Sequence, residues 1–590
     1  MELSQNAIKV LESRYLRRDK KRRIIESPEG LFQRVSKSIA QAEKLFGNKN
    51  GVGHWEEEFF RLLTSFDFLP NSPTLMNAGT NLGQLSACFV LPVEDTIEDI
   101  FESVKAMALI QRTGGGTGFS FSRLRPKSDF VSSTGGESSG PVSFMKIFDC
   151  ATENIKQGGK RRGANMGVLR VDHPDIIEFV NSKLDEGVLR NFNLSVGVTG
   201  VFMDALRKDG DYELINPNTN RVTGKLKAEY VFDTICKAAW SCGDPGLLFL
   251  DTINKKHPLR YLGEIEATNP CGELPLLPYE SCNLASINLS HMTEHNGGNT
   301  IISWNKIRKT VHAVIRFLDN AIEVNNFPLF QVEEITKKNR KIGLGLMGFA
   351  EMLINLGISY DSVEAIKIAE KVMSFVHSEA IRASVKLAEE RGCYPNWRKS
   401  AHAKEGRKMR NATVSSIAPT GTISIIAGTS ASIEPLFAIA YRRSHILENQ
   451  TFTEMNPIFL EYIKRTGTYS AKLLEDLIAA GNLTYLQEIP EMIKKIFITA
   501  LEIPYEQHIR VQAAFQKYVD NSVSKTINLT EDSKVEDVRN AYLLSYRLGC
   551  KGVTIFRQGS KKEQVLELGI HEEPFEKEHF SKCDPQACKL

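Results

Sequence analysis

Residues 269–283 read NPCGELPLLPYESCN. Cys271 stands between Asn269 and Glu273, fenced by Pro270 and Gly272, and Cys282 follows later in the same run. Pro270, Pro275 and Pro278 each break a helix interior, so the stretch predicts a stiff loop that holds a thiol, an amide and a carboxylate close together. Taken alone, that pattern suits a packed loop thiol, a zinc ligand, half of a disulfide or a catalytic cysteine.

The rest of the chain narrows the choice. Its 590 residues are 42% hydrophobic and 25% charged, the balance of a globular protein that buries a large core without staples. A formal net charge of +3 gives no global field toward nucleic acid or membrane. The run SRYLRRDKKRRIIESPEG concentrates Arg17, Arg18, Lys20, Lys21, Arg22 and Arg23, and predicts a solvated helix face in preference to a nucleic-acid patch. The polar, charged first residues do not read as a signal peptide, and no uninterrupted apolar run reaches membrane length. The expectation is a cytoplasmic protein with neither a membrane nor a nucleic-acid partner. Ten cysteines in such a chain are not a secreted disulfide framework, and no CxxC pair marks a zinc site.

Apolar residues recur at helical spacing through IKVLESRYLRR, GLFQRVSKSIAQAEKLFG and WEEEFFRLLTSFDFLP, which predicts helices over residues 1–60. Beyond residue 71, glycine- and serine-rich loops alternate with short apolar runs. GVLRV (167–171) and NLSVGVT (193–199) read as strands. IIEFVNSKL, VFMDALRKD, YVFDTICKAAWS, IRKTVHAVIRFLDNAIEV, LGLMGFAEMLINLG and the long run from SVEAIK to AEERG read as helices. This alternation predicts one large α/β domain. From about residue 560 the chain becomes charged and poor in apolar residues, a tail that ends in CDPQAC.

Three loops suit a nucleotide. GGGTGFS (114–120) reads as a phosphate cradle or a plain tight turn, and is neither a Walker A loop nor GxGxxG. Pro419, Thr420, Gly421 and Thr422 offer hydroxyls and free amides for a phosphate at a helix N-terminus. KQGGKRRGANM (156–166) is a glycine loop with adjacent cations, either a surface turn or a mobile nucleotide sensor. Cys583 and Cys588, on a tether, suit thiol–disulfide exchange better than a zinc knuckle.

NPCGE, SACFV around Cys88, QGGKRRGAN, PTGTIS and the terminal CxxxxC together resemble ribonucleotide reductase catalytic subunits, in that family's order and approximate spacing. The resemblance implies a ten-stranded α/β barrel (61–560) of two antiparallel halves, each of five parallel strands, with a finger loop up its centre. It implies N-terminal helices (1–60) without an ATP cone, hence no overall activity switch, and a flexible redox tail (561–590). Cys271 would carry a thiyl radical that abstracts the 3′ hydrogen of a ribonucleotide. Glu273 would take the 3′-OH proton, and Asn269 would hydrogen-bond the sugar. Cys88 and Cys282 would reduce the 2′ position and end as a disulfide. Cys583 and Cys588 would reset it, themselves reduced by thioredoxin or glutaredoxin. Ser72, Ala87, Gly116 and the run Pro419, Thr420, Gly421, Thr422 and Ile423 match substrate-contacting positions. Asp95, Arg125, Lys160 and Arg161 match the site where a deoxynucleoside triphosphate effector sets substrate choice, a site that usually lies at a homodimer interface.

The radical source follows by comparison within that resemblance. Ile555 and Phe556, in GCKGVTIFRQGS, stand where the oxygen-dependent class has two adjacent tyrosines, so a phenol relay is missing. RLGCKGVTIF is not a glycyl-radical motif. The adenosylcobalamin-dependent class remains, with diphosphates the expected substrates. An oxygen-dependent large subunit with an altered radical path and a non-catalytic nucleotide-binding regulator are the alternatives.

Overall fold

The computed structural model describes residues 1, 3–47, 51–132, 135–157, 161–185, 187–447, 450–560 and 566–567. The chain divides into two compact units, one of Met1–Phe437 and Glu491–Glu563, the other around Ala438–Pro490.

The first unit is built on a ten-stranded sheet. Strands β1 (Cys88–Leu91), β2 (Gly116–Ser120), β3 (Asn165–Arg170), β4 (Phe192–Val198) and β5 (Gly246–Phe249) run parallel, each paired with the next. A two-stranded hairpin, β6 (Ala267–Thr268) and β7 (Pro275–Leu276), follows. The second set is β8 (Ser281–Asn288), β9 (Ile342–Met347), β10 (Thr526–Leu529) and β11 (Gly552–Arg557). β8 is parallel to β9, and β10 to β11. Segment 413–417 is the stave between these pairs. Ile342 N and Leu344 N donate to Thr413 O and Val414 O at 3.1 and 2.8 Å, and Ile417 N donates to Ser522 O at 3.2 Å. Parallel bridges Leu344↔Ser415 and Ile417↔Val523 complete the set. Antiparallel seams, β8 on β1 and β11 on β5, join the two five-stave halves, so the sheet closes on itself. A short strand, Phe68–Pro70, adds to β8 outside this ring.

The strands are buried on both faces, as parallel sheets covered by helices are. All eight positions of β8 and all six of β9 are buried. This burial explains the misreading of LGLMGFAEMLINLG as one helix. Its first four residues, Leu344–Met347, end β9, and Gly348, at φ +74°, turns the chain into the helix Phe349–Asn355. A fully apolar run carries no period by which strand and helix differ. The other expected helices form, including Trp304–Val324 and Val363–Arg391.

The basic N-terminal run is not a helix face. Helix Gln5–Val10 passes through a π-helical turn, Leu11–Tyr15, and the chain then folds into a loop closed by the bridge Arg18↔Ile24. Asp19 holds that loop by accepting from the amides of Lys21 and Arg23 at 2.8 and 2.9 Å. Among the described residues, no helix is long and apolar enough to cross a membrane.

GGGTGFS is mostly strand: Gly114 lies in a turn at φ +100°, and Gly116–Ser120 is β2 itself. Its glycines make room for the hairpin inside the ring. A Cβ on Gly118 would stand 1.7 Å from Thr268 O, and one on Gly116 would stand 3.0 Å from Pro270 Cγ. Gly118→Ala therefore forces backbone from backbone and is expected to destabilise by about 3 kcal/mol or more. Gly421→Ala, where a Cβ meets open space, is the control and should melt as the parent does in a thermal scan.

In the second unit, strands Ala440–Leu447 and Gln450–Met455 form an antiparallel pair that Leu566–Glu567 extends. Helices Pro457–Arg465 and Ala471–Ala480 accompany it.

Candidate active site

The hairpin's tip is residues 269–274, the stretch fenced by prolines. Gly272, at φ +82°, makes the turn, donating to Asn269 O at 3.0 Å, while Leu274 N donates to the Asn269 side-chain oxygen at 3.0 Å. Both halves of the ring grip it. Asn193 of β4 donates to Pro270 O at 2.8 Å, and Ser416 Oγ and Ser522 N donate to Glu273 O at 2.8 and 2.9 Å. The finger is thus tied from several sides, the rigidity a reacting group requires.

The tip borders a cavity of about 310 Å³. Cys271 is exposed there, whereas Asn269 and Glu273 are 1% and 2% exposed. Asn269 Nδ2 donates to Cys88 Sγ at 3.0 Å, and the Cys88 thiol lies 3.9 Å from Glu273 Oε1. Glu273 Oε2 is buried and has no hydrogen-bond partner among the described residues. Burial pushes the Glu273 carboxyl up to about 7, opposed by the Asn269 side chain. A carboxyl poised near neutrality, with one buried oxygen that no protein group bonds among the described residues, is suited to take and return a proton. Burial also raises the Cys88 and Cys282 thiols, so both rest protonated.

The β1–β8 seam pairs Cys88 directly with Cys282. Cα atoms opposite each other in an antiparallel pair stand roughly 4.5–5.5 Å apart, inside the range a disulfide spans. Cys88 borders the cavity and Cys282 does not. Cys282 is fully buried behind it, with its thiol 3.5 Å from Asn283 O.

Ser72, Ala87, Gly116 and residues 419–423 all line the same cavity. Thr420 adopts φ +54°, and its Oγ accepts from Ser432 N at 2.7 Å, which fixes the 419–423 loop. The helix after it, Ile423–Ala427, is only five residues long, so hydroxyls and loop amides, not a helix terminus, are what the loop presents. Asp95 and Arg125 are brought together elsewhere, with Arg125 Nε 2.6 Å from Asp95 Oδ2. Arg161 belongs to a small hairpin, Lys156–Gln157 with Arg161–Arg162. Lys160, Cys583 and Cys588 lie outside the described residues.

Arg14 and Tyr15 are among the cavity residues that escaped the motif reading. They line the cavity from the N-terminal π-turn, with Tyr15 OH 2.8 Å from Ser72 Oγ and Arg14 Nη1 3.5 Å from Thr422 Oγ1. The basic run around them masked the signal, since surface cations and a cavity arginine look alike in one dimension.

The site is thus a closed two-half barrel with Cys271 on an internal finger and Cys88 set opposite Cys282 at one seam. Family models agree. The ribonucleotide reductase barrel domain matches residues 86–556, and the ribonucleotide reductase all-alpha domain matches residues 1–83. The chain belongs to the ribonucleotide reductase family. It is 50% identical to a vitamin B12-dependent ribonucleoside-diphosphate reductase of Thermoplasma acidophilum, across 98% of this chain and 82% of that one. The protein of the same name from Mycobacterium tuberculosis (strain CDC 1551 / Oshkosh) is 46% identical, across 96% and 81%. Among solved structures, the class Id ribonucleotide reductase alpha subunit of Actinobacillus ureae superposes with a TM-score of 0.76, at 21% identity, covering 94% of this chain and 97% of that chain, and shares the fold.

Proposed function

We propose that this protein reduces ribonucleoside diphosphates to 2′-deoxyribonucleoside diphosphates with adenosylcobalamin as radical source. The single observation that carries the chemistry is the finger tip: Cys271 exposed to the cavity, beside a Glu273 oxygen that is buried and unpartnered. The rim of the cavity suits a bulky planar cofactor. A Cβ on Gly272 or Gly421 would have no heavy atom within 4 Å, so no side chain crowds the approach to the Cys271 thiol from these two positions. Gly272 and Gly421 would lie against the group, and homolysis of a cobalt–carbon bond is the chemistry it supplies when bound.

The chain's own residues do the rest. The Cys271 thiyl takes the 3′ hydrogen. Glu273 Oε2 accepts the 3′-OH proton. Cys88, hydrogen-bonded by Asn269, gives its proton to the 2′-OH, which leaves as water. Two electrons come from Cys88 and Cys282, which become a disulfide; the Cys282 hydrogen goes to C2′, Glu273 returns its proton to the 3′ oxygen, and Cys271 returns the hydrogen to C3′. Cys583 and Cys588 then reduce that disulfide, with thioredoxin or glutaredoxin as the external donor. Asp95 and Arg125, with the loops 125–140 and 156–166, form the specificity site for a deoxynucleoside triphosphate in a homodimer.

The oxygen-dependent alternative is not favoured. Ile555 and Phe556 both sit on β11, and neither has a phenol to relay a radical. The purified chain given CDP, dithiothreitol and adenosylcobalamin, with no second subunit, is expected to yield dCDP. Absence of product across the effector set would sink the cobalamin reading.

A further inference from the structure

We infer that Arg14, delivered by the N-terminal π-turn, is a specificity-determining residue that contacts the terminal phosphate of the substrate. The inference rests on the ribonucleotide reading of the cavity proposed above. Among the described residues lining that cavity, Arg14 is the only lysine or arginine and Glu273 the only carboxylate. Their contacts separate them. Glu273 is held with Cys88 and Asn269 at the finger, whereas Arg14 reaches Thr422 in the 419–423 loop. A nucleoside diphosphate has the matching polarity, with exchangeable ribose hydroxyls at one point and concentrated negative charge at another. Once the ribose meets Glu273 and Cys271, its phosphates fall toward the loop that Arg14 approaches.

The segment that carries Arg14 is built to hold it in place. Leu11, Tyr15 and Leu16 are 0%, 3% and 3% exposed, and Tyr15 OH bonds Ser72, so the backbone on both sides is anchored. The π-turn itself, Leu11–Tyr15, is a rare geometry that recurs at functional sites. Arg14 stays half-buried, with its guanidinium at the cavity wall. A guanidinium offers two parallel donors to a phosphate, which a point-charge lysine does not.

Equilibrium dialysis of cytidine, CMP and CDP against the cofactor-free full chain tests this. On the parent chain, affinity should rise from cytidine to CDP. Arg14→Met keeps the aliphatic stem and should weaken CDP by about 10- to 100-fold, the effect of losing a charged hydrogen bond, while cytidine binds as before. Arg14→Lys should fall between the two. Unchanged cytidine binding also shows that the variant is folded. If CDP bound both variants as tightly as it binds the parent, Arg14 would have no such role. If the parent chain itself bound CDP no better than cytidine, the ribonucleotide reading of the cavity would fail, and the proposal with it.

Discussion

Replacing Cys271 with serine is expected to abolish deoxyribonucleotide formation, by at least about 10⁴-fold, the scale on which an enzyme loses turnover when its reacting group is removed. An alkoxyl O–H bond is too strong for the hydrogen exchange that a thiol performs readily. The fold should not notice. Cys271 is exposed at the tip, and the finger is held by Asn269, Asn193, Ser416 and Ser522 through backbone atoms of residues 269–274. The thermal midpoint should therefore stay close to the parent's, since a substitution at an exposed position outside the anchoring backbone bonds costs within about 0.5 kcal/mol. Product above background would remove Cys271 from the radical path. A collapsed midpoint would make it a structural residue instead.

Glu273→Gln should lower turnover by about 10²- to 10⁴-fold, the usual contribution of a general base. The pH profile gives the sharper test. Burial holds the Glu273 carboxyl near 7, and the base is the deprotonated form, so activity of the parent should rise with a midpoint near pH 7. That acid limb should vanish in the Gln variant. Stability runs the other way. A folded-state pKa raised from 4.5 to about 7 contributes stability that is intact below 4.5 and is lost as the pH climbs through 7. At pH 8 the neutral glutamine should therefore be the more stable by about 3 kcal/mol, with no difference near pH 4. A parent profile flat between pH 5 and 8 would exclude Glu273 as the base.

The finger was legible in the sequence because its chemistry is local. Asn269, Cys271 and Glu273 sit within one proline-fenced turn, and Gly272 takes the positive φ that the turn needs. The pairing of Cys88 with Cys282 was not local, and only the resemblance suggested it. Register between distant strands is fixed by the whole ring, not by either strand's own residues. The glycines of β2 misled for a related reason. Gly116 and Gly118 look like a phosphate loop, but their lack of side chains serves the finger packed against them. β9 was lost inside an apolar run, and Arg14 was hidden among cations that face solvent.

The β1–β8 seam has a mechanical side. Cys88 and Cys282 stand directly opposite each other across it, one on each half-barrel. If that pair oxidises in each turnover as proposed, the enzyme staples its own halves together whenever it makes product and unfastens them whenever it is recharged. The barrel would then alternate between a covalently cross-linked hoop and one closed by hydrogen bonds alone, and its stiffness would record whether the last substrate had been reduced.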